Sequence, residues 1–138
     1  MGFDVSADVY DRFMGRYSGL LSAKFAEFAG VQSGQRVIDV GCGPGALMTA
    51  LEPLVGPSGI TAVDPSWRFV DEARDRHPGA HVELASAEAL PFPDGSFDVT
   101  LAQLVVQFMA EPVVGVREME RVTIDGGVVA TCMWNHGG

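Results

Sequence analysis

Short apolar runs alternate with longer amphipathic ones along most of the chain, the rhythm of strands and helices laid down as βαβ units. From residue 18 to 28, Leu20, Leu21, Phe25 and Phe28 recur at helical spacing, and Gly30 and Gly34 then break the pattern. Arg36-Val37-Ile38-Asp39-Val40 is β-branched and mostly apolar, as a central parallel strand covered on both faces should be. It runs into Gly41-Cys42-Gly43-Pro44-Gly45, after which Ala46 to Val55 reads as a helix stopped by Gly56 and Pro57. Ile60 to Val63 forms a second short strand ending at Asp64. Ser66 is placed to cap the next helix, which runs to about His77 and closes at Pro78-Gly79. Strand three spans His81 to Ala85, and strand four spans Phe97 to Ala102 after the turn Pro93-Asp94-Gly95-Ser96. A helix begins near Pro112 and carries Val113, Val116 and Met119 on one face; Asp125-Gly126-Gly127 then turns the chain into a fifth strand, Val128 to Met133. Five strands with four intervening helical segments imply an α/β fold with a parallel sheet and right-handed crossovers.

At 138 residues and 47% hydrophobic content the chain can bury one core and has no room for a second domain. Eighteen acidic against nine basic residues leave a formal charge of −9, which repels phosphate backbones and anionic headgroups, so neither a nucleic acid nor a membrane is an expected partner. No basic and apolar leader opens the chain and no apolar run approaches the roughly 20 residues of a bilayer span, so a cytoplasmic protein is expected. Cys42 and Cys132 fall on or beside strands that are not neighbours. Skipping one strand separates them by about 10 Å, beyond the ~7 Å that a disulfide can bridge. His77, His81 and His136 are scattered, and no metal site is expected.

The strand running into Gly41-x-Gly43-x-x-Ala46 and a helix has the form of a nucleotide-binding turn, in which glycines let backbone amides approach a ligand at a helix N-terminus. The same cluster also serves as a plain tight connection. Asp64, 23 positions after Gly41, ends the second strand where a carboxylate can accept hydrogen bonds from ribose hydroxyls; alone it would read as an Asp-Pro helix starter. Asp39 lies two residues before the first glycine. An ionised carboxylate there would oppose a diphosphate by roughly 3 kcal/mol per charge pair at ~6 Å. It would favour a cationic ligand, by holding loop amides or a water beside it, or it is a buried cap of the loop amides.

Val37-Ile38-Asp39-Val40-Gly41-Cys42-Gly43-Pro44-Gly45 resembles motif I of the class I S-adenosylmethionine (SAM) dependent methyltransferases, in the form common among small-molecule enzymes of the ubiquinone/menaquinone type. Three further segments agree in order and spacing: Ala62 to Ser66, Ala85 to Asp98, and Glu118 to Val122 leading to Gly126-Gly127. The likeness extends to the opening Tyr10 to Ser18. It implies a three-layer α/β/α Rossmann-like domain with strand order 3-2-1-4-5, residues 1–30 forming a helical lid segment and residues 31–138 the core. It implies SAM as cofactor, S-adenosylhomocysteine as product, no metal, and a small-molecule methyl acceptor. By the resemblance, Gly41, Cys42 and Gly43 pack against the methionine half with Asp39 beneath them. Asp64 binds both ribose hydroxyls, Pro65 lies against the adenine, and Ser86, Ala87 and Glu88 contact the adenine edge. Many relatives carry Asp where this chain has Ser86. Gln103, just past strand four, falls near the methionine or the transferred methyl, or else caps a helix. Tyr10 and Tyr17 close over the cofactor as a lid, or pack.

Methyl transfer from a sulfonium is an in-line displacement that needs alignment above all, worth roughly 7–11 kcal/mol. No residue is forced into the role of general base; His136 is the best placed, or else belongs to a frayed tail. Members of the family continue with another helix and an antiparallel strand pair, so the domain is expected to be C-terminally incomplete, with an apolar fifth-strand edge covered by a missing segment or by a second copy in a homodimer. Two other functions fit parts of the pattern: a SAM-binding scaffold without catalysis, and a nicotinamide-dependent reductase using the same glycine turn.

Overall fold

Strand β1 (Val37–Val40) is buried at all four positions, because it pairs in parallel on both sides and is covered on both faces. Its partners are β2 (Ile60–Asp64) and β4 (Phe97–Gln103), with Val37 opposite both Ile60 and Val99. Beyond them lie β3 (His81–Leu84) on β2 and β5 (Thr123–Cys132) on β4, giving the all-parallel order β3-β2-β1-β4-β5. The computed structural model describes residues 19–103 and 109–132.

Side-chain alternation sends successive strand residues to opposite faces and so to two cores. On one face Val37, Ile60, Ala62, Val99 and Leu101 pack with Phe25 of helix α1 (residues 19–28) and with Leu47, Met48 and Leu51 of α2 (Ala46–Val55). Val70 and Ala73 of α3 (Trp67–Arg76) join the same cluster. On the other face Ile38, Val40, Val63 and Ala102 meet Met119 and Val122 of α4 (Pro112–Val122) together with Leu90 and Phe97. The three-layer architecture and strand order follow the expectation. By parity Asp39 belongs with Val37, on the α1 and α2 side. No helix among the described residues is long and apolar enough to cross a membrane.

Three boundaries differ from the expected ones. Helices intervene between β1 and β2, β2 and β3, and β4 and β5, but the β3 to β4 link, residues 85–96, holds only turns and bends. Pro91 and Pro93 cannot continue a helical ladder. Leu90 is instead drawn into the core, and Phe92 meets Phe97 edge-on with ring centroids 5.3 Å apart. Arg121 of α4 clasps this link: Nη1 donates to the Phe92 carbonyl (2.8 Å) and to Asp94 (2.9 Å), Nη2 to the Leu90 carbonyl (2.9 Å), and Nε to Glu118 (2.7 Å). Glu118 accepts the Leu90 amide in turn, at 2.9 Å.

The second difference is in β5, which begins at Thr123, so Asp125-Gly126-Gly127 is an irregularity within the strand and not a turn before it. Phe97 pairs with Thr123 and Val99 already with Val128. The extra residues are accommodated by Gly126 at φ 80° and by Gly127, where a Cβ would fall 2.6 Å from the Asp98 carbonyl oxygen. The third is at the strand tips: β3 stops one residue early and β4 runs one residue longer, to Gln103. The expected end of strand five at Met133 lies outside the described residues. Among the described residues β5 is an edge strand, and its Val128 and Val129 are exposed.

Candidate cofactor site

The order of strands reverses at β1, whose neighbours lead off in opposite directions, and open α/β sheets bind ligands at the carboxyl ends flanking such a point. The chain leaves β1 there through Gly41, Gly43 and Gly45, at φ 75°, 56° and 107°, a left-handed series that side chains rarely adopt. The elbow is anchored on the tip of β2. Gly41 and Cys42 amides both donate to the Val63 carbonyl (2.8 and 2.9 Å), and the Gly43 amide donates to Asp64 Oδ2 (2.9 Å). A Cβ built on Gly43 would meet nothing within 4 Å, so the elbow presents open backbone at its crest.

Asp64 accepts a second amide, that of Ser66, on Oδ1 at 2.9 Å. Burial raises its pKa against the pull of these two amides. Ser66 in turn accepts from the Phe69 amide and caps α3. Asp64 therefore ties elbow to helix and still has a free lone pair on each oxygen.

Asp39 is the unusual group. It is 1% exposed, and neither carboxyl oxygen has a hydrogen-bond partner among the described residues. Burial first, and the nearby Asp64 second, push its pKa to about 8. The expectation that Asp39 holds loop amides is thus corrected: those amides go to Val63 and Asp64. The expected repulsion of a diphosphate is corrected with it. Below pH 8 most of the free Asp39 is neutral and repels no anion; it is a cation that gains, by drawing the charge out. Beside it the Cys42 thiol is pushed well up by burial and by both acids, and its Sγ donates to the Gly43 carbonyl at 3.3 Å, so it is a packed and unreactive thiol.

The remaining expected residues lie around this centre. Pro65 is exposed beside Asp64. Past β3, whose next amide, Ala85, donates to the Asp64 carbonyl (3.1 Å), Ser86 Oγ donates to Glu88 Oε1 (2.6 Å) and accepts from the Glu88 amide (3.2 Å). Glu88 Oε2 accepts the Glu111 amide at the start of α4 (3.0 Å). These bonds, that from Ser86 first, hold the Glu88 pKa low. Ala87 sits between them. Gln103 ends β4 with its Nε2 donating to Ser22 Oγ of α1 (2.8 Å), while its Oε1 is buried without a partner among the described residues. Tyr10, Tyr17 and His136 lie outside the described residues. An open groove of about 590 Å³ between α1 and α2, lined by Ala23, Lys24, Glu27, Val31, Pro53 and Leu54, contains none of these groups. Among the described residues no group of three or more His, Cys, Asp or Glu is placed to hold a metal ion.

A family model described as Methyltransferase domain matches residues 38–131, from β1 to β5. The chain belongs to the class I SAM-dependent methyltransferases. It is 35% identical over 138 residues to the malonyl-[acyl-carrier protein] O-methyltransferase of Geobacter sulfurreducens, covering 98% of this chain and 49% of that protein. It is 36% identical over 106 residues to the ubiquinone/menaquinone biosynthesis C-methyltransferase UbiE of Hahella chejuensis, covering 72% and 43%. The chain thus spans less than half the length of these curated relatives. Among solved structures, a complex between the Haloferax volcanii Trm112 methyltransferase activator and a putative methyltransferase shares the fold, with a TM-score of 0.82 at 24% identity over 91% of this chain and 56% of that one.

The site suits the cofactor this methyltransferase family implies. SAM carries a sulfonium and an α-ammonium and no phosphate, and this elbow has a buried acid without a partner among the described residues beside the open backbone of Gly43. A second acid stands at the β2 tip, where a ribose is met. Sequence reasoning missed one part of the elbow. Gly45 is backed by the buried His77 together with Thr49 and Glu52 of α2, which are exposed and half-buried; the histidine lies 25 or more residues from both, so the three share no motif.

Proposed function

We propose that this chain binds SAM at the glycine elbow and that the methyltransferase it belongs to passes the methyl group to a small organic acceptor by in-line displacement. The observation that carries the proposal is the buried Asp39, without a partner among the described residues and with its pKa raised to about 8, beside a glycine elbow whose crest at Gly43 is open. In this reading Gly41, Cys42 and Gly43 face the methionine half, and Asp39 supplies the counter-charge. Asp64 uses its free lone pairs on the two ribose hydroxyls while its amide bonds keep it rigid. Pro65 packs on the adenine, and Ser86, Ala87 and Glu88 line its edge, Glu88 ionised and therefore able to accept from an amino group. Gln103 offers its unpaired Oε1 toward the reacting end. Tyr10 and Tyr17 remain the proposed lid.

SAM supplies a methyl group whose leaving group is already activated, so the protein has to orient and exclude water, and a rigid elbow does the first of these. One relative is named for a malonyl acyl-carrier-protein acceptor and another for ubiquinone/menaquinone biosynthesis; a small carboxylate or ring acceptor is the class we propose. Calorimetric titration with SAM, S-adenosylhomocysteine and NADH tests the binding half. Saturable binding of the first two is expected, and binding of NADH alone would overturn the reading. Transfer of labelled methyl to a metabolite extract tests catalysis, and tight SAM binding without any transfer would reduce the chain to a cofactor-binding scaffold.

A further inference from the structure

His77 follows the last residue of α3 and is buried, 5% exposed, against the back of the elbow. Its Nε2 lies 3.2 Å from the Gly45 carbonyl oxygen and 3.2 Å from Thr49 Oγ1, and its Nδ1 pairs with Glu52 Oε2 at 2.5 Å. A carbonyl oxygen only accepts, so this contact is a hydrogen bond with the proton on Nε2, and the short contact at the other end then needs a second proton, shared between Nδ1 and the Glu52 carboxyl. Gly45 also accepts from the Thr49 amide (3.1 Å) and hydroxyl (3.2 Å). The ring face is equally close: a Cβ on Gly45 would lie 3.0 Å from His77 Cδ2.

The target of this brace gives it a meaning beyond helix packing. Gly45 is the N-cap of α2, yet it has no side chain to cap with, and α2 has no acidic residue in its first turn. It is also the last of the three left-handed glycines, two residues after Gly43, whose amide Asp64 holds from the opposite side. The elbow is therefore fixed in front by Asp64 and behind by His77, with backbone alone between. We propose that His77 is a positioning residue for the cofactor: by holding the Gly45 carbonyl it keeps the glycine elbow in its ligand-accepting shape. This rests on the SAM reading for its affinity consequence but not for its effect on the loop.

The test uses the full chain with S-adenosylhomocysteine as probe, and His77→Leu, His77→Gln and His77→Asn. Removing the donor in His77→Leu weakens binding by about tenfold, the scale of one lost hydrogen bond, and speeds hydrogen exchange at the Gly45 and Thr49 amides. His77→Gln, whose amide N–H reaches the same carbonyl, restores both to within about threefold. A His77→Leu protein that melts earlier but binds and exchanges like the wild type overturns the proposal. So does a His77→Gln protein no better than His77→Leu. If His77→Leu does not fold, His77→Asn, whose shorter amide does not reach the Gly45 carbonyl, is compared with His77→Gln: faster exchange at Gly45 with weaker binding in His77→Asn supports the brace, and parity of the two overturns it. If the wild type binds no S-adenosylhomocysteine, the SAM reading fails on its own, and exchange at Gly45 alone settles the brace.

Discussion

Binding of SAM should release a proton, and the amount follows from Asp39. With its pKa at about 8 in the free protein, roughly one tenth of the molecules carry the charge at pH 7. A cation that requires the carboxylate binds only that fraction, so the apparent Kd is weaker than its limiting value by about tenfold at pH 7 and about a hundredfold at pH 6. Close to one proton leaves per SAM bound across this range. The α-ammonium of the cofactor titrates near pH 8, so measurements belong below about pH 7.5. Titration calorimetry in two buffers of different ionisation enthalpy counts the protons, and the same runs give Kd against pH. Asp39→Asn should bind more weakly, release none and show a flat profile. A wild-type protein that releases fewer than about 0.3 protons at pH 6.5, with Kd flat from about pH 6 to 7.5, would refute the argument that Asp39 meets the positive charge of the cofactor.

The same group sets a stability slope of opposite sense. A carboxyl raised from 3.8 to about 8 on folding leaves the free protein most stable, for its part, below pH 4 and costs progressively more between pH 4 and 8. The ceiling is on the order of 5 kcal/mol, so Asp39→Asn should melt above the wild type at about pH 8.5, checked by thermal unfolding without ligand. Asp64→Ala removes the acceptor of two amides, at Gly43 and Ser66; unfolding should show a loss of about 1–3 kcal/mol, and titration a loss of S-adenosylhomocysteine affinity beyond a hundredfold. Gly127→Ala drives a Cβ to 2.6 Å from a backbone oxygen of β4, and denaturant melts should show at least about 1–3 kcal/mol of destabilisation.

Most of the fold was legible because parallel strands buried on both faces read as mostly apolar, β-branched runs, as in Val37 to Val40 with Asp39 as the interruption, and because Gly56, Pro57, Ser66 and Pro112 mark helix ends by fixed backbone chemistry. The elbow was legible for the same reason, since left-handed turns demand glycine. What stayed hidden is tertiary. Asp125-Gly126-Gly127 has turn composition whether the chain reverses or merely slips its register, and only the Asp98 carbonyl across the sheet decides which. Asp39 was visible as an acid, but its isolation depends on Val63 and Asp64 having taken the loop amides. His77 carries no local sign at all of the contact it makes 32 residues away at Gly45.

Arg121 has a consequence for anyone recombining these proteins. One planar guanidinium addresses Leu90, Phe92, Asp94 and Glu118 at once, a fan of directions that the single ammonium of lysine cannot reproduce. The link at residues 85–96 and the helix that grips it thus behave as one cassette. A chimera that exchanges the link should carry its own α4 with it, and a graft that splits the two would inherit a loop with nothing to hang from.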